Sequence, residues 1–250
     1  MTRQLPWLDV DEAFPDPSQA WGAGDPAPGL LAAGGALQVG NLLNAYGAGI
    51  FPWFSEGQPI LWWSPDPRMV LKTENFRLHR SLRKTLQNFI ATPGCEIRID
   101  HDFEAVISAC SGATRRDQDG TWIVPDMVRA YTRLHRAGHA HSVETWVDGE
   151  LCGGLYCVNI GGAVFGESMF AHRTDASKIA LSALVAFCRH HRIDSIDCQQ
   201  NTGHLASLGA SEISREVFID GLGQAVRSEP PIWKYRPVYW ETILFRPPAA

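Results

Sequence analysis

The sequence predicts a mixed α+β protein. A small aromatic-rich N-terminal domain spans residues 1–66, and a larger domain spans 67–250 in which antiparallel strands are interleaved with helices. Three observations predict it. Two aromatic runs punctuated by Pro, Ile50–Phe54 and Ile60–Pro67, cannot form regular helix or a central strand. The dipeptide Asp148-Gly149 joins two alternating segments and signals a two-residue hairpin. A stripe of apolar residues at helical spacing, Ile179, Ala180, Leu184 and Cys188, then separates that hairpin from a further short strand.

The elements follow in order. Residues 1 to about 36 are rich in Pro, Gly and Ala and are expected to be irregular, lying against another surface. A short helix is expected over Asn41–Tyr46, ended by Gly47 and Gly49. The aromatic runs that come next are expected to clamp a loop-rich subdomain, with one or two rings, Trp53 among them, free to face a ligand. From residue 68 the pattern becomes regular. Helices are expected at Phe76–Asn88 and at Pro125–Ala137, where Pro125 suits a first turn. Strands are expected at Ala140–Val147 and Glu150–Val158. Gly161-Gly162 makes the next turn, into Ala163–Phe170. Thr174 or Asp175 should cap a buried helix, Ala176–Cys188. A strand at Ile193–Cys198, a helix at Ser214–Val226 and a last strand at Val238–Phe245 complete the chain.

Composition narrows the function classes. A 45% hydrophobic, 20% charged chain of 250 residues is ordinary for a soluble globular protein. Its net charge of −5 gives no global nucleic-acid signal, so such a partner would need a local patch. The six Cys, at 95, 110, 152, 157, 188 and 198, form no CxxC pair and mostly have apolar neighbours, which reads as reduced, buried thiols. There is no signal-peptide core in Met1–Asp9 and no apolar run long enough for a membrane span, so the expectation is a cytoplasmic protein.

Several side chains are candidates for chemistry. Alternation in the strand ending Ile196–Gln199 puts Asp197 and Gln199 on one face and Ile196 with Cys198 on the other, so the thiol is expected to be core. Glu167 stands in the apolar strand Gly166–Phe170, where an acid is rare unless paired with an arginine; the alternative is a cleft beside Asp197 that would attract a cationic group. Trp122 reads as a core ring at a helix entrance, or as a platform on which a nucleobase stacks. His139 and His141 lack a third ligand at convincing spacing, so no metal is expected. Arg80, Arg83 and Lys84 share one helix surface, either a solvated face or a phosphate-tracking patch. The junction Ala171–Lys178 has no glycine with which to cradle a pyrophosphate, which argues against coenzyme A as acyl donor; no cofactor is expected.

The order of helix, three antiparallel strands, helix, strand, helix and strand is that of an α/β acyltransferase domain. Within that order Gly49–Phe54, Ile60–Arg68, Gly120–Ile123, Gly138–Glu144, Gly153–Tyr156, Gly166–Phe170, Asp197–Gln199 and Ser207–Ala210 together resemble the bacterial leucyl/phenylalanyl-tRNA–protein transferases, from about residue 30 to 220. The resemblance implies a C-terminal domain of the GCN5-related N-acetyltransferase (GNAT) type packed on a small N-terminal α/β domain. It implies transfer of Leu or Phe, less often Met, from aminoacyl-tRNA to the α-amine of proteins beginning with Arg or Lys, marking them for degradation by the N-end rule pathway. On this chain it assigns Asp197 and Gln199 to peptide-bond formation, with Glu167 close by. It gives Trp53 and Trp122 to the terminal adenosine, with Tyr46 and Tyr131 as neighbours. Leu155, Val164, Met169, Leu184 and Ile196 fall to the apolar amino-acid pocket, and Arg80, Arg83 and Lys84 to the acceptor stem. Ala36, Ala171 and Cys157 depart from the family's usual Asp, Ser and Gly, and Leu155 and Leu184 leave the preference among Leu, Phe and Met open. Two rival readings are a same-fold aminoacyl-tRNA-dependent peptidyltransferase with another amine acceptor, and an inert RNA-binding module.

Overall fold

The computed structural model describes residues 4–112 and 123–245. A four-stranded sheet in the order β1-β2-β4-β3 is built from β1 (Trp7–Leu8), β2 (Leu30–Gly34), β3 (Phe51–Pro52) and β4 (Leu61–Trp63). Helix α1 (Val39–Gly47) connects β2 to β3. The expectation of irregular structure in the first 36 residues is therefore corrected by two short strands. The aromatic run at Leu61–Trp63 is also an interior strand, hydrogen-bonded to β2 and β3. It is short enough to end before Pro65, and Pro52 lies on the edge strand, where its missing N–H costs no ladder bond.

The larger sheet contains β5 (Arg68–Lys72), β6 (Cys95–Ile99), β7 (Ala140–Val147), β8 (Glu150–Ile160), β9 (Ala163–Ala171), β10 (Ser195–Gln199) and β11 (Ser211–Ile213). Their order is β11-β5-β10-β9-β8-β7-β6. Helices α2 (Arg80–Ala91), α3 (Phe103–Gly112), α4 (Pro125–Arg136), α5 (Ala176–His190), α6 (Gly203–Ser207), α7 (Arg215–Ala225) and α8 (Glu241–Leu244) cover it. The β7–β8 hairpin turns at Asp148 and Gly149, both with positive φ, as a type I′ turn requires.

Within this sheet β9 and β10 run parallel, joined by α5, and every other pairing is antiparallel. The parallel pair lasts for two registers, Ile196 with Val164 and Asp197 with Phe165. Beyond them a bulge in the β8–β9 pairing and a register shift at Asp197–Gln199 let the strands part. That divergence is the structural origin of the site.

Side-chain alternation divides the core between two faces. Tyr156, Val158, Ala163 and Phe165 pack with α1, α3, α4, α7 and the small sheet. Leu155, Cys157, Val164 and Ile196 pack with α2, α5 and the C-terminal segment. Helix α5 is buried over most of its circumference, so it lies tight on β8. Gly153 permits that approach, because a Cβ there would sit 2.5 Å from the Ala176 Cβ. Asp175 occupies the N-cap position with φ 64° but makes no side-chain cap; its carboxylate pairs instead with Lys178.

The expected last strand, Val238–Phe245, is helical: a 3-10 turn at Pro237–Trp240 continues into α8. Its β-branched and aromatic residues favour a strand, but Tyr239, Trp240 and Ile243 are buried at helical spacing against α5. Thr242 donates to Ala186 O and accepts Arg189 Nη1 through its carbonyl, so tertiary contacts override the local preference.

Gly153→Ala is expected to lower stability by about 1–3 kcal/mol, the usual cost of forcing a methyl into a filled core. Urea unfolding midpoints measure it, and an unchanged midpoint would refute the close α5–β8 packing.

Candidate functional site

A cavity of about 430 Å³ opens where β9 and β10 part. Leu155, Met169, Leu181, Leu184 and Ile196 form an apolar wall, and Phe51, Pro52 and Trp53 reach over it from the small sheet. Gln200, Thr202, His204 and Leu205 border it on the β10–α6 side. Burial and then the charge of Lys178 hold the His204 imidazole below its ordinary value, so it is neutral at pH 7.

Polar groups converge at one end. Gln199 Nε2 donates to Glu167 Oε1 at 3.0 Å, and Tyr131 donates its hydroxyl to Glu167 Oε2 at 3.3 Å. Tyr131 in turn shares a short hydrogen bond with Tyr46, and both rings are fully buried. Burial, followed by the Glu167 charge, pushes both phenols well above their usual range, so they act as neutral hydrogen-bonding groups. Burial also pushes Glu167 up to about 8; the nearby Asp197 adds to the rise, against the hydrogen bonds from the tyrosines and the charge of Arg68.

Asp197 is placed differently from the expectation that it shares a face with Gln199. The register shift and the left-handed Gln199 (φ 56°) turn the amide onto the same cavity wall as Ile196 and Cys198. Asp197 faces the opposite side of β10, where Arg68 Nε and Nη2 bind its two oxygens at 2.8 and 2.6 Å. The link back to the cavity is the Gln199 backbone N–H, which donates to Asp197 Oδ1 at 3.0 Å. Cys198 keeps to the Ile196 side, as alternation implies: it packs on the same core as Ile196 and also touches the cavity wall. Burial and then the Asp197 charge push its thiol up to about 12, far from the thiolate that nucleophilic attack would need.

The other expected site residues separate into groups. Trp53, Glu167, Leu155, Met169, Leu184, Ile196 and Gln199 meet at the cavity. Tyr46 and Tyr131 stand behind Glu167 rather than on the wall. Val164 is buried beneath, paired in register with Ile196 and packed in the core on the α5 side of the sheet. Arg80, Arg83 and Lys84 lie on α2, where Arg83 Nη1 donates to Leu244 O, and none of them reaches the cavity. Trp122 lies outside the described residues. Sequence reasoning missed Phe51, Leu181, Cys198 and Arg68. Leu181 was legible in principle, since it lies one helical turn from Leu184; Arg68 had no signal beyond following Pro65-Asp66-Pro67.

Among the described residues no group of three or more His, Cys, Asp and Glu could hold a metal. No helix among them is long and apolar enough to cross a membrane.

Comparison with known proteins is direct. The family model for leucyl/phenylalanyl-tRNA protein transferase matches residues 70–223, and the model for that family's N-terminal domain matches residues 35–66. A leucyl/phenylalanyl-tRNA–protein transferase of a Polaromonas species is 65% identical, covering 98% of this chain and 96% of the relative. Those of Albidiferax ferrireducens (62%, covering 96% and 94%) and Leptothrix cholodnii (59%, covering 98% and 97%) are similar throughout. A solved structure from Staphylococcus epidermidis, described as a functionally unknown conserved protein, covers 74% of this chain and 68% of that one. At a TM-score of 0.34 and 8% identity it carries no argument about fold. The protein is an enzyme, an aminoacyltransferase. It belongs to the leucyl/phenylalanyl-tRNA protein transferase family.

Two outcomes follow from the site. Glu167 keeps a proton in the folded state up to about pH 8, whereas in the unfolded chain it loses it near 4.5. The folded state therefore binds more protons across that window, and stability falls as pH rises through it. Glu167→Gln removes this dependence, so its melting temperature relative to wild type should rise from pH 5 to pH 8; a constant difference would exclude the raised carboxyl. Cys198→Ala should keep most of the transferase activity, and complete loss with the fold intact would restore the thiol as a nucleophile.

Proposed function

We propose that the enzyme moves Leu or Phe, less often Met, from aminoacyl-tRNA to the N-terminal α-amine of proteins beginning with Arg or Lys, marking them for degradation by the N-end rule pathway. The cavity supports this reading: an apolar volume suited to Leu or Phe ends at an acid–amide pair. Leu155, Met169, Leu184 and Ile196 would hold the donor side chain, with Val164 packed beneath. Trp53 and Trp122 would stack on the terminal adenosine, and Tyr46 and Tyr131 would support Glu167 beside it. Arg80, Arg83 and Lys84 would follow the acceptor stem's phosphates as point charges.

An aminoacyl ester is already activated, so no covalent enzyme intermediate is needed. The amine must be neutral and correctly placed, and it must lose a proton as the amide forms. One Gln199 N–H donates to Glu167, which orients the amide, and its oxygen is the group that would accept from the attacking amine. Glu167, at about 8, is matched to an α-amine of about 7.7–8 and in its ionised form would take the amine's proton; the ester C–O bond breaks as the amide forms, and the tRNA ribose hydroxyl leaves carrying a proton in its place. Asp197, with both oxygens bound by Arg68, would act through the Gln199 backbone rather than as the base.

The GNAT-type reading of the larger domain rests on the parallel β9–β10 pair that splays beside a bulge. A boundary at residues 66 and 67 is supported by the small sheet ending at Trp63 and the large one starting at Arg68. A cytoplasmic location is proposed because aminoacyl-tRNA, the proposed donor, is a cytoplasmic substrate.

Labelled Leu-tRNA or Phe-tRNA incubated with a peptide beginning with Arg should yield labelled peptide only with enzyme, and an N-acetylated peptide should yield none. Transfer to neither peptide would refute the acceptor assignment. Asp197→Ala is expected to lower turnover by about 100-fold, the usual cost of misplacing a reacting group, with little change in aminoacyl-tRNA binding. Full turnover in that variant would remove Asp197 from the reaction.

A further inference from the structure

We propose that Arg68 is a positioning residue of the transfer reaction: by gripping Asp197 from the far side of β10, it maintains the left-handed turn that aims the Gln199 amide into the cavity. The inference rests on the assignment of Gln199 to the reaction made above.

Gln199 has φ 56°, a conformation that costs a non-glycine residue about 1–2 kcal/mol and persists only where its surroundings impose it. What imposes it is one carboxylate. Asp197 Oδ1 accepts the Gln199 N–H at 3.0 Å while Arg68 Nε holds the same oxygen at 2.8 Å. Arg68 Nη2 holds the other oxygen at 2.6 Å, so the carboxylate cannot rotate.

The guanidinium is itself fixed from two more directions. Its Nη1 donates to Gly49 O at 3.0 Å, two residues before Phe51, which lines the cavity. It also lies over the rings of Phe51 and Phe218 at 4.9 and 4.6 Å. One fully buried side chain therefore registers the small sheet, β10 and α7 against one another. Arg68 is not part of the cavity wall, so it would act only through its neighbours. A planar fork is required for this: a lysine keeps the charge but cannot hold both oxygens and the Gly49 carbonyl.

The test is a double-variant cycle of Arg68→Lys, Gln199→Ala and both together. The kcat and KM for Leu-tRNA are measured with an Arg-initiated peptide, and folding is checked by thermal melting. Arg68→Lys should lower kcat by about 100-fold while KM for the aminoacyl-tRNA changes little. The double variant should be no slower than Gln199→Ala alone, because both changes remove the same placed amide. Wild-type kcat in Arg68→Lys, or losses that multiply in the double variant, would overturn the proposal. Should Arg68→Lys not fold, Asp197→Asn, which keeps the shape of the pair, takes its place with the same two outcomes. Full activity in Gln199→Ala would defeat the reaction assignment and this inference together. Loss there with unimpaired Arg68→Lys defeats this inference alone.

Discussion

A charge pair with almost no access to water, Arg68 with Asp197, joins the parts of this molecule. Taking two ions out of solvent is costly, and the cost is met only by close pairing and hydrogen bonding. Here the carboxylate accepts from the guanidinium fork and from the Gln199 N–H, a further guanidinium N–H goes to the Gly49 carbonyl, and the guanidinium lies over the rings of Phe51 and Phe218. Removing either ion alone would strand a buried charge, typically at about 3–5 kcal/mol. The partners lie 129 residues apart in the chain, so the pair forms only when the start of β5, β10 and the small sheet have all come together.

The consequence for the site is a division of labour across one strand. On one face of β10 an ion pair is locked and dry; on the other an amide and an apolar wall meet a cavity. The switch between faces is a single left-handed residue in a bulge. Glu167 stands at the junction. It is pushed up by its burial and by the negative Asp197, and is held in place by Tyr131 and Gln199. Such an arrangement suits a reaction whose donor arrives activated. It needs a placed amine and a proton acceptor of matching strength, and no nucleophile from the protein. The nearest thiol, Cys198, is kept protonated by its surroundings.

Much of the scaffold was legible because its physics is local. The β7–β8 hairpin follows from alternation and from Asp148-Gly149. Helix α5 follows from its apolar repeat, and Pro125 marks the first turn of α4. The misreadings occurred where distant contacts prevailed. Val238–Phe245 has strand propensity yet coils as a helix onto α5, and Leu61–Trp63 became an interior strand because β2 and β3 flank it. Strand β11, at three residues, is too short to show a period, whereas the alternation of Cys95, Ile97 and Ile99 in β6 was there to be read.

The sequence by itself determined which chemical groups the protein has to work with: an acid and an amide two positions apart, a second acid in an apolar strand, and small and apolar residues around them. Its motif order also identified the family. Only the tertiary structure decided which way each group faces. Alternation holds for an unbroken strand, and it paired Asp197 with Gln199. The bulge that breaks it is held by an arginine far away in the chain, and no local pattern around residue 197 records that contact.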